Sequence, residues 1–346
     1  MKQTTSKTIS FSDALQRAGA KKHLLLGNGF SIALKPDIFS YASLYDECLK
    51  QRCISDETKK LFNKFGTRDF EVIIRALNDT AKVLSVYTSS RKMAKQITND
   101  AGKLKKALID LLSAKHPANP SEIAGNQYKA CTQFLGNFER IYTLNYDLLL
   151  YWVVMKALEN KEVKYDDGFR YGDGQDYVVW HPEEAKSQNI YYLHGALHLF
   201  DAGEEIKKFT WINTGIRLIE QIRGELNKNN FPLFVAEGTS SEKMTKINHS
   251  QYLGRGIRSF AGIGGSLFIY GHSLADNDAH YLKFIAKNKV EKLFVSIYND
   301  GTQKQMKVNS LIQQRAASIA TARMQEKKQY PIEIVYYDAL SAKVWG

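Results

Sequence analysis

The chain has 346 residues, of which 44% are hydrophobic, 24% charged and 12% aromatic, a composition that supports a folded core and excludes disorder for most of its length. Its 48 Lys and Arg against 36 Asp and Glu give a formal charge of +12, spread over residues 91–115 and 304–328 without a compact base-reading motif, so solvated helix faces are expected and a nucleic-acid partner is not. The three cysteines, Cys48, Cys53 and Cys131, lack CxxC pairing and exclude a four-thiolate zinc site.

In chain order, residues 1–7 are polar, without the apolar core of a secretory signal, and a cytoplasmic location is expected. Short apolar runs that end in Gly, Asn or Asp then alternate with stretches of helical period. This is the pattern of a Rossmann-like parallel sheet flanked by helices, an α/β fold. The candidate strands are residues 23–26, 139–144, 189–193, 232–235, 266–270, 292–297 and 332–337. From 43 to 134 the strand signal disappears and apolar residues recur at three and four, as in Phe70, Ile73, Ile74, Leu77 and again in Leu104, Leu108, Leu111, Leu112. This segment is expected to be a helical insertion after the first βα unit, within a single domain spanning 1–346. The longest apolar run, Leu148 to Met155, is too short to span a bilayer, so no membrane segment is expected. Residues 166–181, rich in Gly, Asp and Tyr, suit an irregular excursion or a hairpin.

Chemistry-bearing residues recur at the strand ends. Gly27-Asn28-Gly29-Phe30-Ser31 puts two glycines where a chain turns tightly and a phosphate can approach backbone N–H groups, although Ile32 stands where the dinucleotide fingerprint has its third glycine. A plain glycine turn accounts for the same residues. If a phosphate does approach there, Gly29→Val should block it while the sheet still folds. Asn145 and Asp147 end the second run, at the edge where open α/β sheets bind ligands; a helix cap explains them equally. His194-Gly195 ends the third run and offers a general base near neutral pH, with His198 four residues on at a spacing that could share a metal, although no third ligand cluster is evident and no metal is expected. Gly271, Ser273 and Asn299 supply further polar strand ends. The polar segment 237–243 has no role beyond a turn and cap.

Together these motifs resemble those of the sirtuin-like NAD-binding superfamily. Its GAG-type turn and PDF-containing loop are matched by Gly27-Asn28-Gly29-Phe30-Ser31 and Pro36-Asp37-Ile38-Phe39. Its TQNID loop is matched by Thr143-Leu144-Asn145-Tyr146-Asp147, its catalytic HG by His194-Gly195 and its GTSL loop by Gly271-His272-Ser273-Leu274. The GNGFSI and PDIFSY strings are similar to a prokaryotic branch of that superfamily. The resemblance implies NAD as substrate, with Gly27, Asn28, Gly29 and Ser31 at the pyrophosphate and Asp37 and Phe39 in the adjoining loop. It also implies Asn145 and Asp147 at the nicotinamide ribose and carboxamide, Gly271, Ser273 and Asn299 at the adenosine half, and Asp338 closing over the adenine. Asn145 and His194 would then cleave the nicotinamide–ribose bond, leaving nicotinamide and ADP-ribose.

Sirtuin-like relatives in prokaryotes often deplete NAD in defence against phage, held latent until a homo-oligomer or an activating protein partner engages. The sirtuin zinc ribbon needs four cysteines that this chain does not have, so no zinc is implied and protein deacylation falls behind NAD hydrolysis. A non-catalytic NAD or ADP-ribose sensor and a deacylase remain the alternatives.

Overall fold

The computed structural model describes residues 8–36, 41–67, 70–87, 91–115, 117, 119–160, 165–171, 177–210, 217–227, 232–233, 235, 240–326 and 330–346. Its centre is a six-stranded parallel sheet built from β1 (Lys22–Leu26), β2 (Arg140–Thr143), β5 (Ile190–Tyr192), β8 (Gly264–Tyr270), β9 (Lys289–Ile297) and β10 (Glu333–Asp338). The strands lie side by side in the order β10-β9-β8-β1-β2-β5. The chain therefore winds outward from β1 through β2 to β5, then returns to the other side of β1 and winds outward again. This is the Rossmann-like pattern, with its reversal between β1 and β8.

Both sheet faces are covered, which is why the strands read as continuous apolar runs. The register aligns Leu25 with Tyr142 and Ile269, and Leu24 with Ile141 and Phe268, so neighbouring positions face opposite layers. On one side Phe268 meets Phe11, Phe138 and Tyr337. On the other Tyr142 stacks on Tyr191 and meets Phe260 edge-on.

The apolar run after β2 becomes the helix Leu149–Glu159, buried on nearly all sides from Leu149 to Val154. Each such Leu or Val contributes about 1.5–3 kcal/mol. Between β1 and β2 the described residues hold no strand: the helices Tyr41–Lys50, Asp56–Phe65, Phe70–Tyr87, Arg91–Lys115 and Gly125–Leu135 follow one another. Phe70, Ile73, Ile74, Leu77, Leu104, Leu108 and Leu111 form its buried stripe. Leu112's side chain is outside the described residues. The last of these helices lies on the sheet, with the Phe134 ring 5.5 Å from that of Tyr270.

Two sequence expectations need correction. Residues 232, 233 and 235 form no strand; Leu233 and Val235 instead donate backbone hydrogen bonds to Leu199 and His194. A second, antiparallel sheet contains the expected hairpin, β3 (Phe169–Tyr171) and β4 (Tyr177–Trp180), joined by β7 (Ile206–Phe209) and β6 (Leu199–Asp201), which the sequence pattern misses. No helix among the described residues is long and apolar enough to cross a membrane.

Candidate functional site

The loops after β1 and β8 meet backbone to backbone at the reversal of strand order. Gly27 N–H donates to Tyr270 O at 2.9 Å and Gly29 N–H to Gly271 O at 2.8 Å. A Cβ on Gly29 would lie 2.5 Å from Gly271 Cα, one on Gly27 would lie 2.7 Å from Gly271 O, and Gly271 itself has φ +67°. The glycines are thus required first by the approach of the two loops. This corrects the expectation that Gly29→Val leaves the sheet folded: the branched side chain would collide with main chain. Asn28 lies partly exposed between them.

Ser31 is fully buried on the short helix Gly29–Leu34. Its hydroxyl donates to Asp147 Oδ2 and accepts from Asn145 Nδ2 at 3.0 Å. Asp147 Oδ1 accepts the Leu149 N–H at 2.9 Å, which starts the apolar helix, and Thr143 Oγ1 accepts the Asn145 N–H at 3.0 Å. Burial raises the Asp147 carboxyl above its ordinary range, against the hydrogen bonds from Ser31 and Leu149. Ser31 therefore holds Asn145 and Asp147 in one arrangement across two strand-end loops.

His194 follows β5 and is 2% exposed. Its loop is pinned by Tyr281, whose hydroxyl donates to Leu193 O, and the Tyr146 ring stacks on the imidazole at 6.1 Å. His194 Nε2 lies 3.1 Å from His280 Nε2 and 3.7 Å from Asp278 Oδ1. Asp278 Oδ2 faces His272 Nε2 at 2.9 Å, and Lys243 Nζ stands 3.7 Å from Oδ1. Burial pushes the His194 pKa well below its ordinary value despite the nearby Asp278 charge, and lowers that of His280 to about 4. Burial would raise the Asp278 carboxyl, but the hydrogen bond to His272 and the nearby imidazole of His194 and ammonium of Lys243 outweigh it and hold it low.

Asp278, His280 and Lys243 are absent from the sequence-level site; the close Asp-x-His spacing was the available signal. Lys243, from the polar segment left without a role, is buried on the helix Ser240–His249. His198 does not share a ligand position with His194, because residues 194–198 are not helical and the His198 ring packs between Tyr151 and Tyr192.

The remaining expected residues gather further along the edge. Asn299 and Asp338 line a cleft of about 610 Å³ with Ile297, Asn309 and Gln313. Asp338 Oδ1 accepts the Leu340 N–H at 3.1 Å, and Asn299 Oδ1 that of Gly301 at 3.0 Å. Ser273 is exposed, and its carbonyl accepts from Arg315. Gly271 N–H donates to Ser296 Oγ at 2.9 Å, joining this part of the edge to β9. Asp37 and Phe39 lie outside the described residues.

The family described as "Domain of unknown function (DUF4917)" matches residues 24–345. No curated protein matches the chain. Among solved structures, Sir2Tm bound to a propionylated peptide is similar at 12% identity, covering 92% of this chain and 97% of that one, with a TM-score of 0.31. A histidine-to-asparagine mutant of a Sir2 homologue in complex with ADP-ribose is similar at 13% identity over 89% and 97%, TM-score 0.31. A histidine-to-tyrosine mutant of Sir2 with a p53 peptide and NAD is similar at 11% over 89% and 96%, TM-score 0.28. The fold rests on strand order and register, not on these similarities.

Proposed function

We propose that this chain, which belongs to the DUF4917 family, binds NAD across the carboxyl edge of its parallel sheet and hydrolyses the nicotinamide–ribose bond. The observation that carries the proposal is the buried bond between Asn145 Nδ2 and Ser31 Oγ, which ties the loops after β1 and β2 together beside the reversal of strand order. A helix cap needs only Asp147 on the Leu149 N–H; it gives no reason to fix Asn145 against the loop after β1. Ligands of open α/β sheets bind at that crevice.

Cleavage passes through an oxocarbenium-like state, so the site must orient the ribose, shield the cation and admit water to one face. Asn145, held by Ser31, orients the ribose and the water, and His194 accepts the proton. Asp147 fixes that arrangement. Gly27, Asn28 and Gly29 face the pyrophosphate, and Gly271, Ser273, Asn299 and Asp338 serve the adenosine half, with Asp37 and Phe39 completing the adjoining loop. The helices between β1 and β2 act as an insertion covering the cleft within one NAD-binding domain. Unrestrained NAD cleavage would exhaust the host's own pool, so the activity is held latent in a cytoplasmic protein and released by a homo-oligomer or an activating partner, as a defence against phage requires.

Calorimetry with NAD tests the binding and product release tests the chemistry. Asn145→Ala and His194→Ala should each lower cleavage by roughly a hundredfold or more with the fold intact. Binding without cleavage in any activated state would favour a sensor, and turnover that requires an acylated peptide would favour a deacylase.

A further inference from the structure

We propose that this chain also carries a divalent transition-metal site, with His194 Nε2, His280 Nε2 and Asp278 Oδ1 as its protein ligands. Two segments far apart in sequence converge there. His194 follows β5, Asp278 ends the single turn Asp276–Asp278, and His280 is the second residue of the helix Ala279–Lys287. The three ligand atoms lie within 4.8 Å of one another. Tetrahedral zinc with nitrogen ligands spaces its donor atoms about 3.4 Å apart. The 3.1 Å between the two imidazole nitrogens and the 3.7 Å from His194 to the carboxylate lie on either side of that spacing.

A hydrogen bond between the two imidazoles would explain their separation alone, but not the carboxylate. Asp278 Oδ1 has no hydrogen-bond donor in reach among the described residues: His194 Nε2 and Lys243 Nζ both stand at 3.7 Å, beyond hydrogen-bond length. A cation between the three atoms would engage that oxygen and both nitrogens. The other oxygen is already oriented by His272 Nε2 at 2.9 Å, and His272 Nδ1 in turn accepts the Leu274 N–H at 2.9 Å. Such outer partners steady a ligating carboxylate. The Asp278 side chain is 13% exposed, which leaves an approach from solvent. Two imidazoles and one carboxylate suit zinc, iron, cobalt or nickel better than magnesium or calcium. Lys243 opposes a second positive charge at the same oxygen and so limits the affinity.

One consequence rests on His194 acting as the base proposed above. A metal on Nε2 leaves the proton on Nδ1, and the ring then has no lone pair with which to accept another. Metal binding and base catalysis at His194 exclude each other, so the ion acts as a brake on NAD cleavage.

The test is a titration of the metal-stripped full chain with Co²⁺, read by its visible d–d absorption and by competition with Zn²⁺. The site predicts one bound ion with a tetrahedral-type spectrum. His280→Gln and Asp278→Asn should each weaken binding by roughly a hundredfold or more, and Lys243→Met should tighten it. Circular dichroism and the urea midpoint establish that each variant is folded. No cobalt spectrum in the parent, or unchanged affinity in both ligand variants, would overturn the site. NAD cleavage undiminished at zinc saturation would overturn the brake and leave the site standing. Absence of cleavage from metal-free, activated protein would count against the NAD reaction and not against the metal.

Discussion

Two polar groups at the carboxyl edge of the sheet are bonded in opposite ways. Ser31, Asn145 and Asp147 are tied to one another and to the Leu149 N–H, and the loops around them meet glycine to glycine. His194, His280 and Asp278 face one another with a carboxylate oxygen that no donor among the described residues reaches. The first group is a scaffold whose bonds are used up in holding two loops. The second brings two imidazole nitrogens and a carboxylate oxygen to a common point, which is where reactivity belongs. Substitution should therefore cost stability at Ser31, Asp147 and the glycines of the first group, and chemistry at Asn145 and in the second group.

The largest stability loss should come from the glycine contact. Gly29→Val puts a side chain 2.5 Å from Gly271 Cα, and Gly271→Ala adds a Cβ at positive φ 2.6 Å from Gly29 Cα, so each should cost about 3 kcal/mol or more in urea unfolding. Near-parental stability in both would mean that the loops separate easily, and the scaffold half of the contrast would be lost. Next is Asp147→Ala, which strands the Ser31 hydroxyl and the Leu149 N–H and should cost about 2–4 kcal/mol. By contrast, His194→Gln keeps a hydrogen-bonding side chain beside His280 and should cost less than either in the same measurement.

A smaller effect concerns pH. His23 on β1 is 3% exposed, and burial, helped by the charges of Arg140 and Lys21, lowers its pKa to about 4. Between the ordinary value of 6.5 and about 4 the unfolded chain takes up a proton that the folded chain refuses. Stability should then fall as pH drops through that window, by on the order of 3 kcal/mol in total, and be level above it. His23→Gln should flatten that slope in denaturant titrations, and an unchanged slope would remove His23 as its source. The smallest effect belongs to the periphery. Asn299→Ala should raise the KM for NAD a few-fold with kcat unchanged, while neutralising Lys103, Lys105 and Lys106 should alter neither. Tight DNA or RNA binding at physiological salt, abolished by that triple change, would overturn the expectation that the basic helix faces are only solvated.

The parallel sheet was legible because strands covered on both faces read as unbroken apolar runs, as in residues 266–270 and 292–297. The helical stretch between β1 and β2 was legible from the period of Phe70, Ile73, Ile74 and Leu77. The antiparallel strand β7 was not, since its sequence Ile-Lys-Lys-Phe buries Lys208 against Asp167 at 2.5 Å and so hides the apolar alternation. The run at 232–235 misleads for the converse reason: its described residues Leu233 and Val235 hydrogen-bond to Leu199 and to His194 in the loop after β5 and join no strand. Within the site, Asn145, Asp147 and His194 stand at strand ends and can be found there by pattern. Asp278 and His280 begin a helix several residues past β8, and only the tertiary fold brings them to His194.

The most direct test of the central claim is chromatography of NAD after incubation with the metal-stripped chain, alone and under the condition that activates it in cells. NAD hydrolysis predicts nicotinamide and ADP-ribose in equal amounts from the parent, and neither from folded His194→Ala. Intact NAD from the activated parent, or equal product from both proteins, would contradict it.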